Sequence, residues 1–153
     1  YPLQRSIGLE AQFTGDATLL KWESLHGHQG SSDFIAGVTG VEYTLYGVFG
    51  RIWDLGLIGE IQHDDRPQSA ADQFGVGGVR LTVNDVADSS LLLLVSADRE
   101  ADQTLVSLEA TRRLNEWTSI ELSGQFFNAR TPSSSFGLLS DDDAVTLVLD
   151  VFF

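Results

Sequence analysis

Apolar and polar residues alternate along most of this chain, in short runs broken by clusters of Gly, Asp, Asn and Ser. From Ser6 to Phe13, Ile7, Leu9, Ala11 and Phe13 fall on one side and Ser6, Gly8, Glu10 and Gln12 on the other. A period of two puts alternate side chains on opposite faces of a strand, so the pattern predicts β-structure. The same reading gives a less regular second strand over 17–26, a third over 34–46, and a fourth with Leu55, Leu57, Gly59 and Ile61 on its apolar side. A fifth spans 74–83, and a sixth is the near-continuous apolar run Leu91–Val95. The seventh sets Val106, Leu108 and Ala110 against Ser107, Glu109 and Thr111, and the eighth sets Ile120, Leu122 and Gly124 against Glu121, Ser123 and Gln125. The last ten residues alternate most strictly, with Val145, Leu147, Leu149, Val151 and Phe153 on one face.

These strands are separated by turn chemistry: Thr14-Gly15-Asp16, a longer loop over 28–33, 47–53, a polar loop over 64–72, 84–88, 98–102, a tight turn at Leu114-Asn115-Glu116, and a long loop over 129–143. Residues 103–113 also fit helical spacing, but hairpin-like neighbours on both sides favour a strand. The expectation is about nine antiparallel up-and-down strands in a single domain over residues 1–153.

Alternation alone does not distinguish a soluble barrel, apolar inside, from a membrane barrel, apolar outside. Three features favour the membrane form. The strands run about 10–13 residues, as a tilted transmembrane strand requires. Glu10, Glu42, Glu60, Arg80, Glu109 and Glu121 sit in mid-strand on the polar face, where a wet lumen tolerates charge. The connections after even-numbered strands read as longer and more acidic than those after odd ones, like extracellular loops opposite periplasmic turns. Aromatic residues near strand ends, among them Trp22, Tyr43, Trp53 and Trp117, suit interfacial girdles.

Composition narrows the function. The 153 residues carry 22 acidic and 9 basic side chains, a net charge of −13, which disfavours nucleic acid and anionic surfaces as partners. The absence of Cys excludes disulfides, thiolate metal sites and Cys nucleophiles. No apolar run is long enough for a transmembrane helix, and Tyr1–Arg5 has no signal-peptide character. If the last strand ends in the periplasm, nine strands place the first residue outside the cell. Single-chain bacterial barrels normally have an even strand number, so the chain is expected to be the C-terminal part of a longer barrel.

The closing strand, ending on Phe153, resembles the C-terminal strand of bacterial outer-membrane barrels, with Leu149, Val151 and Phe153 in the place of the insertion signal. Val41-Glu42-Tyr43-Thr44-Leu45-Tyr46, the run Asp54–Glu60, His63-Asp64-Asp65-Arg66, the run Ser107–Leu114 and Ser140-Asp141-Asp142 resemble stretches of uncharacterised proteobacterial outer-membrane proteins. The resemblance covers about residues 34–153 and implies an outer-membrane barrel with no assigned activity. Partners implied are outer-membrane lipid and lipopolysaccharide, the barrel-assembly machinery acting on the last strand, and further strands of a parent barrel or a homo-oligomer.

The candidate lumen residues are Glu10, Lys21, Glu42, Glu60, Arg80, Glu109 and Glu121. Hairpin arithmetic sets Glu10 near Lys21, Glu60 diagonal to Arg80, and Glu109 almost opposite Glu121, a repulsive arrangement that a cation, an arginine or a retained proton would relieve. The bland alternative is an interior salt-bridge network filling a narrow lumen; the functional one is an acidic pore lining that favours cations. His26, His28 and His63 lie in the apolar phase near strand ends and read as rim residues rather than metal ligands. Asp64-Asp65, Asp98-Glu100-Asp102 and Asp141-Asp142-Asp143 read as solvated loops with no calcium-loop spacing. No spacing is diagnostic of an enzyme, and no metal or cofactor is expected. The function expected is a passive porin-like pore with a weak cation preference, with a non-conducting structural or interaction barrel as the alternative.

Overall fold

A computed structural model describes residues 4–66, 73–98, 102–131, 134 and 136–153. The described residues form nine strands: β1 (Gln4–Thr14), β2 (Thr18–Gln29), β3 (Ser32–Val48), β4 (Trp53–Asp64), β5 (Gln73–Thr82), β6 (Ser90–Asp98), β7 (Gln103–Asn115), β8 (Thr118–Ala129) and β9 (Ala144–Val151). They make one sheet in strict sequence order, every neighbouring pair antiparallel. The only helical element among the described residues is a single 3₁₀ turn, Gly137–Leu139. Residues 103–113, ambiguous by spacing, are strand, held between β6 and β8.

The sheet is open. β1 pairs only with β2 and β9 only with β8, so the expected closed barrel is not formed by these nine strands. Both edge strands are exposed along their whole length.

Pairing fixes which side chains share a face. Ile7, Leu9, Ala11 and Phe13 stand opposite His26, Ser24, Trp22 and Leu20, which stand opposite Ile35, Gly37, Thr39 and Val41. The same face continues through Leu57, Val79, Leu93, Leu108, Gly124 and Val145. We call it the apolar face. It is open to its surroundings: Ile7 is 68% exposed and Leu147 66%. The other, charged face is the more enclosed on β3 and β6, whereas on β7 and β8 Glu109 and Glu121 are exposed beside half-buried Leu108 and Ile120. From Val38 to Leu45 on β3, its residues are half-buried while their neighbours on the apolar face are exposed. Phe34, on the charged face, is the one buried apolar side chain among the described residues. Along β3 the usual arrangement, apolar side chains covered and polar ones open, is reversed.

Two expectations about connections are corrected. The loop expected over 28–33 is a two-residue turn at 30–31, because Gly30 takes φ +64° and lets β2 and β3 run on to Gln29 and Ser32. With 83–89 after β5 also longer than 99–102 after β6, the expected short–long alternation does not hold strand by strand. The longest connections, 65–72 and 130–143, nevertheless lie at the same end of the sheet.

Candidate functional site

The seven charged residues singled out from sequence all lie on the charged face. Glu10 and Lys21 reach it from β1 and β2, Glu42 from β3, Glu60 from β4, Arg80 from β5, Glu109 from β7 and Glu121 from β8. Their partners differ from the expected ones. Glu10 pairs not with Lys21 but with Glu23, while Lys21 pairs with Gln12. Glu109 pairs with Ser123 and Glu121 with Thr111, so these two carboxylates are diagonal rather than opposed. Arg80 pairs with Gly56, four residues from Glu60, so no Glu60–Arg80 diagonal forms. At β1–β2 and β7–β8 the turns sit one residue further along than their chemistry suggested, which moves each pairing by two residues. At β4–β5 Glu60 pairs with Val76, which leaves Arg80 four residues away along β5. At β7–β8 an irregularity between Arg113 and Asn115 moves the turn to 116–117.

The cation that Arg80 supplies goes to Glu42 instead. Its Nη1 donates to Glu42 Oε1 at 2.6 Å across the intervening β4. Gly56 makes this crossing possible. A Cβ there would lie 3.0 Å from Glu42 Oε1, so the glycine spares the side chain a shift of a few tenths of an ångström as it lies over the strand. Glu60 lies over Gly40 in the same manner and accepts a 2.5 Å hydrogen bond from Gln62 Nε2. Glu10 and Glu23 have no salt bridge among the described residues, so two like charges directly oppose each other at one margin of the face. Glu23 is not among the residues singled out from sequence; its parity with Lys21 on β2 is the signal that places it on this face. Beside this pair lies a groove of about 620 Å³ whose walls include Glu10, Glu23, Val38, Gln62, Asp64 and Arg66.

At the end where the long connections lie, the charged face is covered. Phe34 packs over Gly27 on β2, where a Cβ would sit 2.5 Å from the ring. The Arg66 guanidinium stacks on that ring, 5.8 Å from its centre, while its Nε donates to Asp64 Oδ1 at 2.8 Å. That carboxylate raises the pKa of Arg66 above its ordinary value, chiefly by the side-chain hydrogen bond. Asp65 Oδ1 accepts the Ile35 N–H at 2.6 Å and ties the start of the loop to β3. Farther along, Phe136 sits edge-on to both Phe74 of β5 (5.4 Å) and Phe127 of β8 (5.9 Å). In a flat sheet those strands would be about 14 Å apart. One ring touching both places it in an inward curl. The Phe136 N–H donates to Gln103 Oε1 at 2.9 Å, and Gln103, fully buried, donates from Nε2 to Asp98 Oδ2 at 3.1 Å. None of Phe34, Gln103 and Phe136 was singled out from sequence, since the first two are buried and the third half-buried against chain segments remote from them.

The opposite end is a set of hydrogen-bonded turns. Asn84 Nδ2 donates to Ile52 O and to Asp54 Oδ2, and Tyr46 Oη donates to Asp16 O at 2.6 Å. Asp85 accepts the backbone N–H and the hydroxyl of Ser89, both at 3.0 Å, with Arg112 at 3.8 Å. Its pKa is lowered, first by the Ser89 backbone hydrogen bond, against an opposing push from burial, and further by the hydroxyl and Arg112.

The histidines do not converge. His26 and His63 lie on the apolar face, and His28 Nδ1 meets Asp33 Oδ1 at 2.8 Å. Among the described residues no three His, Cys, Asp or Glu side chains gather as a metal site. The acidic loops serve their own backbones and neighbours: Asp143 accepts the Phe127 N–H at 2.8 Å, and Asp102 pairs with Arg130 at 2.9 Å. Glu100 and residues 67–72 of the polar loop lie outside the described residues. In β9, Leu149 and Val151 are on the apolar face, and Phe153 stands beyond the strand end, fully exposed. No family model, curated protein or solved structure matches the chain.

Proposed function

We propose that this sheet is a sector of a bacterial outer-membrane β-barrel, as the likeness of its segments to uncharacterised proteobacterial outer-membrane proteins implies, and that it acts as a porin-like pore. The observation that carries the reading is the inversion of its two faces. A face of Ile, Leu, Val, Phe and Trp side chains is exposed on β1–β4, β6 and β9 and half-buried through most of β5, β7 and β8, an exposure that is costly in water and favourable against hydrocarbon. The face carrying Glu10, Lys21, Glu23, Glu42, Glu60, Arg80, Glu109 and Glu121 is the one a water-filled lumen would receive. With six carboxylates against Lys21 and Arg80 among these eight, and Asp54, Asp64, Asp98 and Asp150 against Arg113 also on that face, the lumen favours cations weakly. Leu149, Val151 and Phe153 offer the closing strand to the assembly machinery, and the open face takes lipid and lipopolysaccharide.

A second reading, a barrel that does not conduct, is favoured by Phe34, Phe136 and Gln103, which fill the charged face at one end. Single-channel recording on the full polypeptide in a planar bilayer, under a potassium chloride gradient, separates the two. The pore reading expects discrete steps with a reversal potential of cationic sign, and a smaller potential for Glu42→Gln. A flat trace for the wild type overturns the pore; steps appearing only in Phe136→Ala identify that ring as a plug.

A further inference from the structure

The groove of about 620 Å³ on the charged face runs over β1 to β4, and its floor and its margins differ in chemistry. Leu25, Ala36 and Val38 form the floor, all three half-buried and none with a polar side-chain atom. Glu10 and Glu23 stand at one margin, both exposed and directly paired across β1 and β2. Asp64 and Arg66 stand at the other. Resting on the barrel reading above, in which this face lines the lumen, we propose that the groove binds a monovalent organic cation. A primary ammonium sits between Glu10 and Glu23, and its apolar body lies on Leu25, Ala36 and Val38.

The charge balance along the groove sets the sign of its occupant. Facing residues of an antiparallel pair stand about 5 Å apart at their Cβ atoms, and like charges so placed repel. Neither Glu10 nor Glu23 takes part in an ion pair or side-chain hydrogen bond among the described residues. Lys21 is two residues from Glu23 along β2 and pairs with Gln12. Arg66, the cation of the groove itself, is committed twice over: its Nε donates to Asp64 and its guanidinium stacks on Phe34. One margin is therefore anionic and the other neutral. An ammonium has three N–H donors, so it can serve both carboxylates at once and replace their repulsion with charge-assisted hydrogen bonds. The floor then selects among cations. A hydrated potassium ion gains nothing from it, whereas an alkyl or aryl body is stabilised by taking the floor and itself out of water. A divalent metal needs several oxygen ligands, and no three acidic or histidine side chains gather among the described residues. A polyamine would carry its second charge to a margin where Arg66 already neutralises Asp64. The groove lies within the roughly 300–1,000 Å³ of sites that hold small molecules.

Calorimetric titration of the full polypeptide in detergent micelles tests the site. The probe is phenethylammonium chloride, set against methylammonium, which lacks the body, and 2-phenylethanol, which lacks the charge. The expected result is saturable binding of phenethylammonium, at least about tenfold tighter than either control. Glu23→Gln should weaken it by about tenfold, and Leu25→Ser should weaken phenethylammonium while leaving methylammonium unchanged. Asp85→Asn removes the same charge at the other end of the sheet and should change neither. Equal binding of phenethylammonium and methylammonium, equal binding of 2-phenylethanol, or no loss in Glu23→Gln overturns the inference. Single-channel recording in potassium chloride on the same preparation keeps the two readings apart. Conductance steps from protein that does not bind the probe overturn the site and leave the pore standing. A flat trace from protein that binds it saturably overturns the pore and leaves the groove as a site in a barrel that does not conduct.

Discussion

Leu122 and Ser123 are neighbours on β8, yet they belong to regions built by different rules. Leu122 stands between Ala110 and Leu147 on a face built mainly of apolar side chains. Ser123 stands between Glu109 and Thr146 on a face held by individual pairings: Arg80 to Glu42, Gln62 to Glu60, Phe34 seated on Gly27. The apolar face needs only its chemistry, since any aliphatic side chain of similar size would serve. The charged face needs particular residues at particular registers, since its glycines are seats for particular neighbours. The contrast teaches that one alternating pattern carries two kinds of information, a coarse one on the positions of the apolar face and a fine one on those of the charged face.

The sharpest way to break this contrast is to place the same charge on both neighbours. Leu122→Arg puts a guanidinium on the face assigned to hydrocarbon, near the middle of its strand, and should cost about 2–4 kcal/mol of stability in lipid. Ser123→Arg meets Glu109 on the charged face and should change stability by less than about 1 kcal/mol. Guanidinium unfolding of the membrane-reconstituted protein measures both. A larger loss for Ser123→Arg would reverse the assignment of the faces and point to a soluble barrel with its apolar side inward.

A smaller effect tests whether the charged face depends on its glycine seats. Gly27→Ala drives a methyl into the Phe34 ring and to 2.7 Å from the Arg5 carbonyl oxygen. Overpacking of this kind costs about 1–3 kcal/mol. Removing the ring relieves half of the conflict, so Gly27→Ala combined with Phe34→Ala should lose less than the two single changes added together. Strict additivity would mean that Phe34 is not seated on Gly27. The equivalent change on the apolar face, Gly77→Ala, meets no atom within 4 Å of its new carbon and should be neutral or slightly favourable.

The same division explains how far sequence reading reached. All nine strands and the face of every charged candidate were readable, because a slip of one residue would turn a whole apolar row over. Pairings were not so protected. A slip of two keeps Glu109 and Glu10 on the correct face while changing their partners to Ser123 and Glu23, so hydrophobic pattern is blind to it. Turn positions decide such slips, and a left-handed Gly30 or an irregularity at Arg113–Asn115 has too weak a signature to locate in advance. Phe34, Gln103 and Phe136 were invisible for another reason. Each is covered by a segment distant in sequence, as Gln103 is by the backbone of Phe136, and alternation reports only on neighbours. Openness at β1 and β9 had a faint signal in the odd strand count.

The smallest effect concerns the two ends of the sheet, where a turn held by Asp85 faces the phenylalanine-covered end. Asp85 is half-buried, and its carboxylate is the acceptor that orients the 85–89 turn toward Ser89 and, more distantly, Arg112. Those hydrogen bonds favour the ionised form and hold its folded pKa below the ordinary aspartate value near 3.9. The sign follows from linkage. A depressed folded pKa gives stability that is fully present above the unfolded pKa and is lost as pH falls through the folded one. The stability difference between wild type and Asp85→Asn should therefore be constant from pH 7 to about 5 and shrink as pH falls below about 4, where the wild-type carboxyl takes up its proton and comes to resemble the amide. Asp64 and Arg66 at the other end supply the control: the Arg66 guanidinium remains charged throughout the range, so Arg66→Met changes only the level of such a curve wherever Asp64 stays ionised. A wild-type-minus-Asp85→Asn difference that persists undiminished to pH 2 would mean that Asp85 holds its turn by shape and not by charge.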